Sequence, residues 1–408
     1  MSWDKVKLAD CCLSISDGDH QPPPKAVSGV PFVTIANINK SNQFDFSDTM
    51  FVPKDYYDRL DSKRKAQVGD ILYSVVGSFG IPVLIKEERP FVFQRHIAIL
   101  RPNERINSAF LYYTMLSRDF YAKADAAAIG AAQRTVSLTS LRGMEIELPP
   151  LKVQEAIASK LSVYDNLIEN NQKQIKLLEE AAQRLYKEWF VDLRFPGHEN
   201  TKITDGIPEG WEYKPIFDVF DFVRGRSYTS NELSDSTGVL MVNLKNIRAF
   251  GGYNRNAEKR FVGQFKDNQI LSAGDVIMGV TDMTQERRLV GHVALVPNMG
   301  ETMIFSMDLI KLIPKRTDNL FLYSAMIFGG VSKRISPLAN GVNVLHLKPE
   351  AIMGVEMLIP NDKVVCQYHS QMAPVFSEIE TLQKQCDIAA EARDRLLSKL
   401  MNGEKRGG

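Results

Sequence analysis

The residues best suited to a chemical task are concentrated in one segment of the second half of the chain, residues 224–260. This segment holds seven basic residues against three acidic ones, with tyrosines and asparagines between them. Arginine presents a bidentate fork to guanine and asparagine presents one to adenine, while lysine and arginine also neutralise phosphates. The pattern suggests contact with DNA, although a solvated charged face has a similar composition. The candidates are Arg224, Arg226, Tyr228, Lys245, Asn246, Arg248, Tyr253 and Arg255.

Shorter groups of the same residue types occur in the first half. One is a run of three basic residues, and two are polar triplets at residues 94–96 and 133–135. A single charged cluster is commonly a solvated face, but recurrence in both halves favours the DNA interpretation. The candidates in the first half are Lys63, Arg64, Lys65, Arg95, Gln133 and Arg134.

The sequence offers no catalytic centre to accompany these groups. An adenine methyltransferase needs an Asn/Asp-Pro-Pro-aromatic tetrapeptide and a glycine-rich cofactor turn, and neither is present. The acidic groupings beside Lys63 and Lys214 resemble parts of a nuclease site, but their turn-like context favours surface charge. Six histidines are scattered without metal-binding spacing. We therefore predict no catalytic residue, metal site or cofactor site in this chain.

Composition limits the class of protein. The formal net charge is +1, so affinity for DNA has to come from local surfaces rather than from the whole molecule. Four cysteines form neither a CxxC pair nor a disulfide framework. The first ten residues are charged where a secretory signal is apolar, and no apolar run reaches the roughly 18 residues of a membrane span. These features predict a cytoplasmic protein.

The second half of the chain repeats the first at long range. Residues 130–149 match residues 341–360 at an offset of 341 − 130 = 211, and Gln172 matches Gln383 at the same offset. Solenoid repeats recur every 20 to 50 residues, about a quarter of this distance at most. The chain therefore contains a duplicated domain followed by a duplicated helix.

Each half carries short runs rich in β-branched and apolar residues, separated by glycine and proline, which predict a mixed sheet followed by a helix. The offset drifts before residue 80, so we expect insertions in the early loops, where duplicated scaffolds diverge in specificity. The predicted strands are 32–35, 70–76, 81–85 and 97–100 in the first half and 239–242, 275–280, 292–296 and 309–313 in the second. The predicted helices are 110–128 and 321–327.

Each domain is followed by a helix with an apolar seam. Between Ile157 and Trp189 the steps alternate four and three, as in the a and d positions of a coiled coil, and the seam recurs 211 residues later. Asn171 and Arg393 interrupt it with polar side chains, and Pro374 argues against one unbroken second helix. Two narrow stripes bury each other best by pairing, and antiparallel pairing would push the two globular halves to opposite ends of a rod. The predicted interface residues are Ile157, Leu161, Ile168, Ile175, Leu178, Leu185, Met372, Ile379, Leu382 and Leu396.

The junction between the halves resembles a known family. Residues 184–198 read Arg-Leu-Tyr-Lys-Glu-Trp-Phe-Val-Asp-Leu-Arg-Phe-Pro-Gly-His, and residues 205–211 read Asp-Gly-Ile-Pro-Glu-Gly-Trp. This pattern is similar to the central conserved region of the specificity subunits of type I restriction-modification systems. The resemblance covers the whole chain, with each variable half followed by a conserved helix.

The resemblance implies an α+β fold with two tandem mixed α/β target recognition domains and an antiparallel coiled coil. It places the first recognition domain at 1–150, the first helix and junction at 151–195, the second domain at 196–360 and the second helix at 361–408. Such a subunit is non-catalytic and reads a bipartite double-stranded DNA target. It docks two methyltransferase subunits, which restriction subunits join, and S-adenosylmethionine, ATP and Mg belong to those partners.

Two other interpretations remain open from the residues alone. A self-contained nuclease or methyltransferase would turn over DNA without partners, and a coiled-coil adaptor would have no DNA role. The DNA sequence that is read cannot be inferred from the chain.

Overall fold

The computed structural model describes residues 3–20, 22–39, 41–131 and 133–401. It divides into two units: the first is Met1–Lys173 with Gln383–Gly408, and the second is Gln174–Leu382. Each unit therefore combines one globular domain with part of both long helices. The boundaries between the two units fall inside both long helices, Leu151–Tyr186 and Asp362–Met401.

The first unit is built on a four-stranded antiparallel sheet in the order β2-β8-β5-β6. A three-stranded sheet in the order β4-β3-β7, with β3 and β7 parallel, and a two-stranded β1-β9 pair complete its strands. The strands are β1 Asp4–Lys7, β2 Cys12–Asp17, β3 Val30–Val33, β4 Met50–Val52, β5 Ile71–Ser74, β6 Pro82–Leu84, β7 Val92–Phe93, β8 Ile97–Pro102 and β9 Glu145–Leu148.

The predicted helix at residues 110–128 is two helices in the structure. Ser117 follows the first and caps the second, because its hydroxyl accepts the N–H of Phe120. The buried face of the first helix packs Phe110 and Leu111 into the core with Ile71, Tyr73 and Leu100 of the sheet. The helices are α1 Lys54–Arg59, α2 Ser108–Leu116, α3 Arg118–Ala127, α4 Leu138–Gly143 and α5 Leu151–Tyr186.

The second unit repeats this arrangement. Its four-stranded sheet has the order β13-β22-β18-β20, and its five-stranded sheet has the order β14-β16-β15-β21-β17 with β15 and β21 parallel. The strands are β10 Ile203–Thr204, β11 Ile207–Pro208, β12 Glu212–Pro215, β13 Phe220–Arg224, β14 Leu233–Ser234, β15 Val239–Val242, β16 Lys259–Phe261, β17 Ile270–Leu271, β18 Val276–Gly279, β19 Thr281–Asp282, β20 Val293–Leu295, β21 Met303–Phe305, β22 Leu309–Pro314, β23 Leu345–His346 and β24 Glu356–Ile359. The helices are α6 Ile216–Val219, α7 Asn319–Ile327, α8 Val331–Ile335 and α9 Asp362–Met401.

The predicted duplication and fold class are confirmed by the shared four-stranded sheet and parallel strand pair of the two units. The sheet β2-β8-β5-β6 corresponds to β13-β22-β18-β20, and the parallel pair β3·β7 corresponds to β15·β21. Across the loop between β5 and β6 the offset changes from 276 − 71 = 205 to 293 − 82 = 211. The corresponding loop of the second unit is therefore six residues longer, in the region where the sequence predicted an insertion.

The long helices α5 and α9 pair in antiparallel fashion within each unit. In the first unit Asp165 binds Arg393, while Asn171, further along α5, binds Gln385, which lies earlier on α9. In the second unit Ile175 packs with Ile379 and Leu382, and Leu178 packs against this cluster. The ten predicted interface residues are all buried or half-buried.

The ends of the seam also contribute to the domain cores. Ile157, Leu161 and Leu397 belong to the core of the first unit, and Leu396 packs against it. Met372 belongs to the core of the second unit, against which Leu185 packs. Each helix is therefore both a partner of the other helix and an element of a domain.

The expectation that Pro374 would break the second helix was wrong. Helix α9 runs without interruption from Asp362 to Met401 with Pro374 inside it. Proline cannot donate the helix hydrogen bond to the residue four positions earlier, Ser370. Because Ser370 is exposed, water can bind its carbonyl, which limits the cost of the missing bond.

The recognisable junction forms part of the core of the second unit. Helix α5 is followed by a π-helical turn, Lys187–Val191, which buries Trp189 and Phe190. The ring of Trp211 then packs 5.7 Å from Phe190 and 4.7 Å from Phe195, measured between centroids. Aromatic residues are needed at these positions because their rings fill one shared core. Among the described residues, no helix has both the length and the apolar character that a membrane crossing requires.

Candidate nucleic-acid interface

In each unit, backbone hydrogen bonds join two loops at one end of the four-stranded sheet, which we call the central sheet. In the first unit the N–H of Gly77 donates to the carbonyl of Arg134 at 2.9 Å, and the N–H of Val136 donates to Val75 at 2.9 Å. In the second unit β19 pairs with β23, and the N–H of Leu347 donates to Val280 at 2.8 Å. We call these the loop pairs, residues 75–81 with 129–136 in the first unit and 280–292 with 340–347 in the second.

The first loop pair presents two of the predicted DNA-binding residues. Gln133 and Arg134 are both exposed. The guanidinium of Arg134 binds the carboxylate of Asp125 at 2.5 Å and lies 5.4 Å from the centroid of the Phe79 ring. These contacts hold Arg134 in one orientation while leaving part of it open to solvent, as a preorganised contact residue requires.

Two further candidates in the first unit meet at one loop although they are far apart in sequence. The guanidinium of Arg64 lies 3.9 Å from the carboxylate of Asp19, and the backbone N–H of Arg95 donates to the carbonyl of Asp19 at 3.1 Å. Arg95 and Lys63 are exposed. Lys65 turns away from them, because its ammonium group donates to the carbonyl of Asp58 at 2.9 Å.

Most basic candidates of the second unit are engaged with neighbouring groups. Arg224 binds Glu350 at 2.6 Å, and Arg226 binds Glu232 at 3.1 Å. Lys259 donates to the hydroxyl of Tyr228 at 2.6 Å. Arg224 and Arg226 could still reach a phosphate by exchanging a carboxylate for it, because exposed ion pairs are weak.

Asn246 and Tyr253 lie inside the domain. The amide of Asn246 donates to Glu258 at 2.9 Å, and the hydroxyl of Tyr253 donates to the same carboxylate oxygen at 2.7 Å. Both side chains are buried, and burial together with the Glu258 carboxylate raises the pKa of Tyr253. They stabilise the hairpin at residues 247–253, and we leave them out of the proposed DNA surface.

The remaining candidates of the second unit differ in their surroundings. Lys245 is exposed and Arg255 is half-buried. Arg248 lies 3.6 Å from Glu179 on α5, and both side chains are exposed. Arg248 thus connects the hairpin to the helix within the second unit.

The longer loop of the second loop pair, residues 280–292, presents residues that sequence reasoning missed. It exposes Met283 and Arg288, and Gln285 donates from its side-chain amide to the carbonyl of Val342 at 2.7 Å. The buried carboxylate of Asp282 organises the loop by accepting the N–H groups of Thr284, Leu289 and Val290. Burial alone would raise the pKa of Asp282, but these hydrogen bonds lower it. The change of offset near residue 80 was the one signal in the sequence that pointed here.

Equivalent glutamates on the two helices fasten each domain to its helical segment. Glu169 accepts hydrogen bonds from Lys86 at 2.9 Å and from Gln43 at 3.0 Å in the first unit. Glu380, which corresponds to it because 380 − 169 = 211, accepts the backbone N–H of Asn298 at 2.7 Å in the second. Lys86 and Asn298 both lie in the segment that follows the fourth strand of the central sheet, β6 in the first unit and β20 in the second. The orientation of each domain on its helices is therefore fixed at the same point.

We expect Glu169→Gln to destabilise the first unit by about 1 kcal/mol at neutral pH, the scale of a partly exposed ion pair. Burial opposes ionisation of Glu169, but hydrogen bonds from Lys86 and Lys173 prevail and lower its pKa from 4.5 to about 2. A carboxyl with a lowered pKa stabilises the folded state above its unfolded pKa and loses that effect as pH falls toward the folded one. The difference between wild type and variant should therefore shrink between about pH 4.5 and 2 in thermal melts. Glu180→Gln, at an exposed pair with Arg184, is the control, and a difference independent of pH would contradict the assignment.

Among the described residues, no group of three or more histidine, cysteine, aspartate or glutamate side chains could hold a metal ion. The geometry described above consists of loops and cations that lie on the surfaces of the two units.

Comparison with known proteins identifies the scaffold. The family described as "Type I restriction modification DNA specificity domain" matches residues 2–180 and again residues 208–381. The type I restriction enzyme MjaIX specificity subunit of Methanocaldococcus jannaschii is 25% identical over 349 residues, covering 83% of this chain and 78% of that protein. The putative MjaX specificity subunit of the same organism is 25% identical over 420 residues, covering 99% and 94%.

A solved structure shares the fold. The type I restriction-modification S subunit from M. genitalium superimposes with a TM-score of 0.57 at 15% sequence identity, covering 98% of this chain and 96% of that one. The two matches of the family model follow the two halves of the duplication. The chain therefore belongs to the type I restriction-modification DNA specificity family and carries two of its domains in tandem.

Proposed function

We propose that each domain of this chain reads one half of a bipartite double-stranded DNA target through its loop pair. The observation that carries the proposal is that one scaffold presents equivalent loop pairs with unlike side chains. The first offers Gln133 and Arg134, and the second offers Met283, Arg288 and Val342. Two domains that share a fold but differ in their contact residues are suited to recognise two different half-sites.

The exposed cations around the loops support this function. Arg95 and Lys63 in the first unit and Lys245 in the second are exposed and can bind phosphates, which positions a protein on DNA without specifying sequence. Arg134 and Arg288 lie on the loop pairs and are the candidates for base-edge contacts. A net charge of +1 fits a protein whose hold on DNA is completed by partners.

The paired helices would set the distance between the half-sites. Their seam is buried in both units, and Glu169 and Glu380 fasten the domains to it at equivalent points. On this proposal the half-sites lie about one helical turn, or roughly 10 base pairs, apart.

The chain would act as the non-catalytic specificity subunit of a cytoplasmic complex. Two methyltransferase subunits would bind it and supply S-adenosylmethionine chemistry, and restriction subunits would supply the steps that need ATP and Mg. In this assembly the chain's own residues bind and position DNA.

An exchange of domains tests the proposal. Residues 1–150 are replaced by the corresponding segment of a relative with a different target, and the chimera is expressed with its methyltransferase partner. We expect methylome sequencing to show a change in only one half of the methylated motif, while exchange of residues 196–360 changes the other half. Loss or alteration of both halves by either exchange, in a complex that assembles normally, would reject the two-domain reading.

A further inference from the structure

We propose that the second domain recognises the C5-methyl group of a thymine in its half-site through Met283 and Val342. This inference rests on the proposed function and names the chemical group that one of its two sites reads. Among the groups that base pairs expose in the major groove, the methyl of thymine is the apolar one.

The two side chains are strongly exposed at neighbouring loops. Met283 is 78% exposed and Val342 is 88% exposed. Single exposed apolar residues are ordinary on protein surfaces. Here, however, β19 ends one residue before Met283 and pairs with β23, and Gln285 binds the carbonyl of Val342. The two loops that carry these side chains are therefore held together by hydrogen bonds.

The backbone around Met283 is held in place rather than free to fold the side chain inward. The preceding residue, Asp282, is fully buried and accepts N–H groups from both ends of the loop, Thr284 at 2.8 Å and Leu289 at 2.6 Å. The loop is thus closed by its own buried carboxylate. A loop whose backbone is already ordered suits contact with an apolar group on a partner, because the backbone loses little conformational entropy on binding.

The charges beside the two side chains favour DNA as that partner. The same loop carries Arg287 and Arg288, and Lys348 is exposed just beyond the second loop. The loop also carries two acidic residues, the buried Asp282 and Glu286, which pairs with Arg288. An apolar tip flanked by cations matches a methyl group that lies between phosphate backbones.

The two loop pairs present different side chains at equivalent positions. The position equivalent to Val342 is Ala131, because 342 − 211 = 131, and the exposed residues that follow it include Gln133 and Arg134. Met283 lies in the loop between β18 and β20, which is six residues longer than its counterpart in the first unit. The first loop pair thus presents the exposed Ile129 beside Gln133 and Arg134, whereas the second presents the exposed Met283 and Val342.

The test replaces thymine by deoxyuridine, which removes only the methyl group. The full chain in complex with its methyltransferase partner is bound to a duplex carrying the motif found by methylome sequencing, with each thymine replaced in turn. Burial of one methyl group corresponds to about a fourfold change in Kd. We expect one replacement in one half-site to weaken wild-type binding about fourfold. Met283→Ala and Val342→Ala should bind the thymine and deoxyuridine duplexes more equally, whereas Val262→Ala, at an exposed valine elsewhere in the second unit, should keep the difference.

The outcomes separate this proposal from the function on which it rests. If the complex binds the bipartite duplex but no replacement matters, or the half-site of the second domain has no thymine, the methyl contact is rejected and bipartite reading stands. Full discrimination by both alanine variants rejects it too, as does a loss of methyltransferase binding without a change in discrimination. Failure of the wild-type complex to bind the bipartite duplex would overturn both proposals.

Discussion

Arg393→Ala is expected to destabilise the first unit by about 3 kcal/mol. The guanidinium of Arg393 binds Asp165 at 2.7 Å, and the side chains are only 14% and 16% exposed. The hydroxyl of Tyr113 donates to the other oxygen of Asp165 at 2.7 Å. Removing one member of a largely buried ion pair leaves the other charge without compensation, which costs about 3 to 5 kcal/mol. We take the lower value because both side chains retain some contact with solvent.

The duplicated chain supplies its own control for this prediction. The positions equivalent to Arg393 and Asp165 are Ala182 and Phe376, since 393 − 211 = 182 and 165 + 211 = 376, and both belong to the apolar packing of the second unit. Asp165→Phe combined with Arg393→Ala therefore gives the first unit the two apolar residues that the second unit has at the equivalent positions. We expect the double variant to recover at least half of the lost stability. Denaturant-dependent hydrogen exchange of residues 151–173 measures the first unit by itself. A double variant as unstable as Arg393→Ala would show that the pair is not replaceable by apolar packing.

Polar residues in the seam illustrate how far sequence reasoning reaches. The heptad steps predicted that Asn171 and Arg393 would interrupt the apolar stripe, and such interruptions commonly fix register. The structure adds their partners, Gln385 and Asp165. Neither partner lies on the predicted seam. The long side chains of Gln385 and Arg393 allow a contact between a seam residue and a residue outside the a and d positions. Periodicity locates a face of a helix, but hydrogen bonding depends on the reach of each side chain.

The candidate site was less predictable than the fold for a related reason. Asn246 and Tyr253 have the residue types of base-reading side chains, yet both bind Glu258 inside a hairpin. The same amide and hydroxyl groups serve either purpose, and only burial distinguishes them. Met283 was missed for the opposite reason, because a methionine has no charged or polar group that would mark it in the sequence as a DNA contact. Its loop was marked solely by the drift in offset between the two halves.

Ile175→Asp is expected to destabilise the helix pair of the second unit by at least about 3 kcal/mol. Ile175 is 8% exposed and forms one cluster with Ile379 and Leu382. The substitution removes buried aliphatic groups, which alone costs about 2 to 5 kcal/mol for a comparable truncation, and it places a carboxylate in an apolar seam. Leu177→Asp is the matched control on the same helix, because Leu177 is 63% exposed. We expect that control to stay within about 0.5 kcal/mol of wild type.

The pH dependence of the Ile175→Asp defect separates a buried charge from a general disruption. Burial in the seam would raise the folded-state pKa of the introduced carboxyl above its unfolded value, so protonation favours the folded form. The deficit should be smaller near pH 5 than at pH 8, whereas disruption of packing alone would be independent of pH. If the helix pair sets the distance between the half-sites, as proposed, the same variant should bind targets with the native spacer and with one added base pair more equally. An unchanged melting temperature together with intact spacer discrimination would show that the seam at Ile175 does not set that distance.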